Sequence, residues 1–275
     1  MKKILLKIIL ITLIIIPAFS FERKNNNDNQ WYGEQLKEFL ETEKHINIYT
    51  QLAVAKNNSV ALDTEEVLLK SIEKRKNNYI ALMLLGIYYV NVEEDYKKAE
   101  EYFKKAIKTS PYNKRVFPSY KALAIIYSNL KMENEAEAEY KKMIQIFPEH
   151  PEGYYGTAVI NYNRKNYKEA VINSRKAVEL YKNGIFEKYS HLTPDEKEIG
   201  IANSERIIFY AYLKSKNYEQ GFDEFFSTYP SLKKGYNNKE IFDIIKFVSL
   251  ENEKIKNSHK SLYEKNIERF KKSGI

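Results

Sequence analysis

The chain has 275 residues, 43% of them hydrophobic and 30% charged, with a formal net charge of +8 and no cysteine. That apolar share suffices for one extended or two compact domains, and the lack of cysteine excludes disulfides, thiolate metal sites, cysteine nucleophiles and a lipid-bearing N-terminal cysteine. Glycine and proline, at 9 and 7, are too scarce for an all-β fold built on many tight turns.

Residues 1–20, MKKILLKIILITLIIIPAFS, depart sharply from everything that follows. Lys2, Lys3 and Lys7 form a positive flank, Ile8 to Ile16 is an apolar run that Pro17 breaks, and Ala18-Phe19-Ser20 offers small residues at positions −3 and −1 of a cleavage site after Ser20. That is the layout of a secretory signal peptide. An uncleaved anchor is the alternative, although the run falls short of the roughly 20 apolar residues that span a bilayer. The expected localisation is therefore periplasmic or secreted. Cleavage leaves 42 basic against 37 acidic residues, a net charge of +5. An exported protein of that charge has little reason to meet nucleic acid, while weak attraction to anionic envelope surfaces is permitted. Residues 21–33 read as a polar, Asn-rich tether.

From residue 34 the apolar positions recur at three and four, the period of helices, almost to the end of the chain. Residues 34–56 and 63–76 read as a degenerate first pair of helices, with Leu68 and Ser71 as its large and small residues. Next come Leu82, Leu85, Gly86 and Tyr89, then Ala99, Phe103, Ala106 and Pro111. The third group is Tyr120, Leu123, Ala124 and Tyr127, then Ala136, Tyr140, Met143 and Pro148. Tyr154, Thr157, Ala158 and Asn161 follow, with Ala170, Ser174 and Ala177. Glu205, Ile208, Phe209 and Tyr212, with Gly221, Phe225 and Thr228, form a poorer copy. The copies start at Tyr79, Phe117, Pro151 and Ala202, so the middle interval is 34 residues, the first 38 and the last 51.

This pattern resembles the tetratricopeptide repeat family, whose 34-residue unit reads W-x2-L-G-x2-Y, then A-x3-F, a small residue and P. Residues 79–112 carry it with Leu82 in the Trp place, and 117–150 with Tyr120 there and Ala124 for the Gly. Residues 151–182 keep Ala158, Ala170 and Ala177, but Lys182 stands where the closing proline belongs. Small residues let two helices approach, large ones fill the space between pairs, and proline stops the second helix because it lacks an amide hydrogen. The expected fold is an all-α solenoid of about five antiparallel helix pairs in a right-handed superhelix, since one such unit cannot bury its apolar face alone.

Beyond the clear repeats, Thr193-Pro194-Asp195-Glu196 is a helix start with cap, first-turn proline and closing acid. It predicts a long helix from about Pro194 to Lys214, opening a degenerate pair over 194–234. Residues 239–256 and 258–272 read as capping helices within 239–272.

No motif of an enzyme is found. His45, His150, His191 and His259 are isolated, and neither a phosphate-binding glycine loop nor a nucleophile elbow occurs. Glu133 to Tyr140 reads as a solvated charged face. The chain is expected to be non-catalytic, without cofactor or metal. The resemblance implies instead a concave groove, lined by the first helix of each pair, that accepts a peptide or partner protein. Its groove positions map to Met83, Ile87, Val90 and Asn91, then Lys121, Ile125, Ser128 and Asn129. In the later copies they map to Tyr155, Val159, Tyr162 and Asn163, then Arg206, Tyr210, Leu213 and Lys214. Helix packing is the alternative role for Ile87, Ile125 and Val159, whereas Tyr155, Tyr162 and Tyr210 suit a half-wet site. A Lys–Asn–Arg clamp for carboxylate-ended tails, known in the family, is not expected, because Ile87 stands where the clamp needs Asn. Two rival roles remain: an accessory subunit of an envelope assembly that uses the convex face or the Asn183–Ile201 insertion, and a cell-wall polysaccharide binder with tyrosines as stacking platforms. Neither the partner nor the oligomeric state is legible.

Overall fold

The computed structural model describes residues 59–91, 93–112, 116–184 and 194–275. The predicted signal peptide, tether and 34–56 helix lie outside the described residues, as do His45, His191, Thr193 and the rest of residues 185–193 of the insertion. Among the described residues the chain is all-α, with eleven helices and no strand. It divides into two compact units, Met1–Glu139 and Tyr140–Ile275.

The first unit holds α1 (Ser59–Lys74), α2 (Tyr79–Asn91), α3 (Tyr96–Thr109), α4 (Phe117–Asn129) and the first half of α5 (Glu133–Ile146). Helix α2 packs on α1 and α3, α3 on α4, and α2 also touches α4, so the first helices of consecutive pairs are neighbours. Gly86 is small for a reason: a Cβ there would stand 2.6 Å from the ring of Phe103. Ala99, Phe103 and Ala106 are wholly buried, one face of α3 spaced four and then three residues apart. Asp95 caps α3, its carboxylate accepting from the Lys98 amide at 3.0 Å. Tyrosines at the pair junctions end on acids: Tyr89 donates to Glu65, and Tyr127 donates to Glu100 at 2.8 Å, which Lys104 also holds at 2.5 Å.

The second unit holds the rest of α5, then α6 (Pro151–Asn163) with α7 (Tyr167–Asn183), α8 (Pro194–Lys214) with α9 (Tyr218–Gly235), and α10 (Asn238–Ile255) with α11 (Lys260–Lys272). Here α6 packs on α7, α7 on α8 and α8 on α9, while the first helices α6 and α8 also meet. Helices α9, α10 and α11 close around Phe222, Phe225, Leu232, Ile244, Val248, Ile255 and Phe270. Pro151 begins α6, with the His150 ring capping it through the Glu152 amide at 3.3 Å. That gives the buried His150 a structural task. Asn237 and Glu240 form a reciprocal capping box on α10.

The prolines explain where the second helices stop. Helices α3 and α5 span 14 residues each and end shortly before Pro111 and Pro148. Helix α7, whose copy lacks that proline, spans 17 and ends instead on Gly184, whose φ of 66° only glycine adopts without strain. Pro230 behaves differently from those two, because α9 runs straight through it.

Four of the hairpins, α2–α3, α4–α5, α6–α7 and α8–α9, turn on one left-handed residue that is not glycine: Glu94, Lys131, Lys165 and Lys216, with φ between 55° and 64°. At three of these turns the bonding repeats. Lys131, Lys165 and Lys216 donate to Ser128, Tyr162 and Leu213, while the next amides reach back to Tyr127, Asn161 and Tyr212. This paired closure satisfies the carbonyls that a helix end leaves open. It recurs at equivalent places of the repeats beginning at Phe117, Pro151 and Ala202.

Candidate partner-binding surface

In the second unit, α6 and α8 lie side by side and bring their predicted groove residues onto a shared surface. Tyr155, Val159 and Tyr162 come from α6, and Arg206 and Tyr210 from α8; all five are half-buried. Tyr162 and Tyr210 have ring centroids 6.5 Å apart, and Tyr210 lies 4.2 Å from Phe247 of α10. Arg206 stands over the Tyr236 ring at 5.2 Å. The Tyr236 hydroxyl donates to Asn203 Oδ1 at 2.6 Å, and Arg206 Nη2 reaches the same oxygen at 3.3 Å. At one end Lys214 sits 4.8 Å over Phe247 and pairs with Glu251 at 3.0 Å, a carboxylate that Lys254 also holds at 2.8 Å.

The electrostatics keep these phenols neutral. Burial raises the Tyr162 hydroxyl to about 12, with Arg206 pulling the other way. Burial raises Tyr155, Tyr210 and Tyr236 as well, and again the Arg206 charge opposes the shift. One guanidinium therefore acts on four phenols. For Glu251 burial pushes the carboxyl up, but hydrogen bonds from Lys254 and Lys214 outweigh it and hold the group below its ordinary range. The surface offers aromatic faces, neutral hydroxyls that both donate and accept, and the Arg206 cation, which no carboxylate engages among the described residues.

The first unit treats its predicted groove residues differently. Met83 and Ile87 are 2% and 3% exposed, Lys121 6%. For Met83 and Ile87 the structure selects the packing role, because every residue of α2 from Ala81 to Val90 is buried. Asn91 and Ile125 are half-buried, and Ser128 and Asn129 exposed.

Tyr236, Phe247 and Asn203 belong to the surface of the second unit but were not predicted. Tyr236 and Phe247 lie beyond the last recognisable copy, where no register remained to place them. Among the described residues no three His, Cys, Asp or Glu side chains gather as metal ligands, and no helix is long and apolar enough to cross a membrane.

Residues 81–113 and 118–150 match a family model described as tetratricopeptide repeat. Over those two segments the chain is similar to tetratricopeptide repeat proteins. No curated protein sequence matches it significantly. Similar solved structures include pilF of Pseudomonas aeruginosa, at 15% identity and a TM-score of 0.48, covering 83% of this chain and 98% of that one. PilW, described as a widely conserved type IV pilus biogenesis factor, aligns at 12% identity and a TM-score of 0.48, over 76% of this chain and 91% of its own. YrrB, described as a tetratricopeptide repeat protein with an unusual peptide-binding site, aligns at 15% identity and a TM-score of 0.38, over 66% and 99%.

Proposed function

We propose that this repeat protein is exported and non-catalytic, and that it holds a peptide segment of a partner protein on the face formed by Tyr155, Tyr162, Arg206 and Tyr210. The observation that carries the reading is the half-buried aromatic row from Tyr162 through Tyr210 to Phe247. Large aromatic side chains and arginine are the residues that most often anchor interfaces. A tyrosine left half-wet keeps both its ring face and its hydroxyl available to a partner.

A peptide library displayed on phage and selected on the purified protein tests this. Enriched peptides should bind the wild type in solution, and Tyr155→Ala with Tyr210→Ala should weaken them at least about tenfold, or about 1.4 kcal/mol, while helicity by circular dichroism is kept. Unchanged binding by that double variant sinks the reading. Export is tested separately by the mass of the protein recovered from an expressing bacterium: loss of residues 1–20 supports it, and retention in the cytoplasm at full length opposes it.

A further inference from the structure

We propose that Arg206 is the receptor for a single carboxylate, so that the segment held on this surface presents one acidic group beside an aromatic or aliphatic side chain. The inference rests on the partner-binding reading above and deepens it.

Arg206 is half-buried and carries five donors, yet among the described residues its one hydrogen bond is the 3.3 Å contact to the neutral amide of Asn203. That oxygen is already engaged by Tyr236. Among the described residues no carboxylate pairs with Arg206, in contrast to Arg175, which pairs with Glu224, and Arg269, which pairs with Asp223 at 2.6 Å. The acids around it are committed elsewhere. Glu152 accepts from Tyr181 at 3.0 Å, and Glu240 closes the α10 cap. Glu205 pairs with Lys182 and Glu251 with two lysines. Asp243, which faces Tyr210, is exposed and makes no ion pair with Arg206. A partly desolvated guanidinium without a counter-charge is costly, and a ligand that supplies the charge recovers that cost.

The frame selects the kind of anion. A planar guanidinium matches the two oxygens of a carboxylate, and neutral tyrosine hydroxyls can donate to the same group. A phosphate dianion would call for a second cation, but Lys214 of this surface is engaged by Glu251. One free positive charge fits one monoanion. The Tyr210–Phe247 pair beside it supplies the wall for the apolar neighbour.

A carboxylate of this kind comes from an Asp or Glu side chain or from a chain terminus, and three short probes separate the sources. The first is N-acetylated, C-amidated Phe-Asp-Phe; the second is N-acetylated Phe-Phe with a free terminal carboxylate; the third is N-acetylated, C-amidated Phe-Asn-Phe, which is neutral. Calorimetric titration of the full chain should show one or both acids binding at least about tenfold more tightly than the neutral probe. Arg206→Gln should erase that preference, so that acid and neutral probes bind the variant alike, and Arg206→Lys should keep part of it. Equal binding of all three probes overturns the proposal, as does a preference that survives Arg206→Gln or no saturation by either acid up to about 10 mM. If the neutral probe binds and Tyr210→Ala abolishes it, the aromatic surface stands and only the carboxylate assignment falls. If no aromatic probe binds, both fall.

Discussion

The ring of Tyr140 occupies the space that any side chain on Gly156 would need: a Cβ built there stands 2.1 Å from Tyr140 Cε1. Real Cβ atoms do not approach carbon so closely, and a ring wedged between helices cannot swing aside as the end of a lysine can. Overpacking of this kind costs about 1–3 kcal/mol, whereas replacing a mid-helix glycine by alanine returns about 1 kcal/mol of helix propensity. A 2.1 Å approach belongs at the upper end of that range, so Gly156→Ala should lose a net of about 1–2 kcal/mol, seen as a lower midpoint in urea unfolding. Gly200 stands in the same relation to Tyr181, at 2.3 Å, and Gly200→Ala should behave alike. A neutral or stabilising result at both would show that these helices are free to separate.

The left-handed turn residues predict the opposite sign for a change to glycine. Lys165 holds φ at 64° while its amide and the next one close the end of α6. A non-glycine residue in that conformation costs roughly 1–2 kcal/mol, and glycine removes the cost while adding about 0.4–1 kcal/mol of unfolded-chain entropy. Lys165→Gly should leave the protein as stable or more stable by up to about 1 kcal/mol, measured as the urea midpoint. A clear loss would mean that the Lys165 side chain contributes something beyond the turn.

High pH provides a third test. The hydroxyl of Tyr162 is raised to about 12, and burial also raises those of Tyr155, Tyr210 and Tyr236. Each keeps its proton in the folded state to a higher pH than in the unfolded chain. The stability they contribute is fully present below about pH 10 and is lost as the pH climbs toward about 12. Unfolding midpoints should hold steady from about pH 8 to about pH 9.5 and fall above it, and tyrosine absorbance should show a late-titrating fraction. Removing Tyr162 by Tyr162→Phe should shrink that fraction. Complete titration near pH 10 would contradict the burial described.

The helix pairs were legible because their determinants are local. Small and large residues recur at helical spacing within each hairpin, as with Gly86 and Phe103, and Pro111 and Pro148 mark where the second helices stop. The surface was legible only where the helix carrying the repeat register is not apolar all round. In α6 and α8 the inherited positions of Tyr155, Arg206 and Tyr210 are left half-buried. In α2 the sequence YIALMLLGIYYVN has no charged residue and a polar side chain on no consistent face. A helix apolar all round is buried all round, and that signal, available in the sequence, outweighs the register that placed Met83 and Ile87 in a groove. Tyr236 and Phe247 needed the fold itself, because the C-terminal helices follow a packing that no repeat pattern encodes.

The last prediction concerns Glu205, which stands at the place where the repeat pattern has tryptophan. It is 4% exposed, with one oxygen held by Lys182 at 2.9 Å and Oε2 buried without a hydrogen-bond partner among the described residues. A carboxylate in such a place is expensive to desolvate, and one half-exposed lysine recovers only part of that expense. Replacing the acid by an apolar residue of similar length removes both the charge and the unsatisfied oxygen, so Glu205→Met should be neutral or stabilising by about 1–2 kcal/mol. Lys182→Met removes only the partner and should destabilise by about 2 kcal/mol, less than the 3–5 kcal/mol of a wholly buried pair because the lysine side chain is 55% exposed. The two changes together should be as stable as Glu205→Met alone, since the lysine has nothing left to pair with. Urea midpoints of the three variants decide the matter. A destabilised Glu205→Met would show that the carboxylate has a stabilising role that the Lys182 pair does not account for.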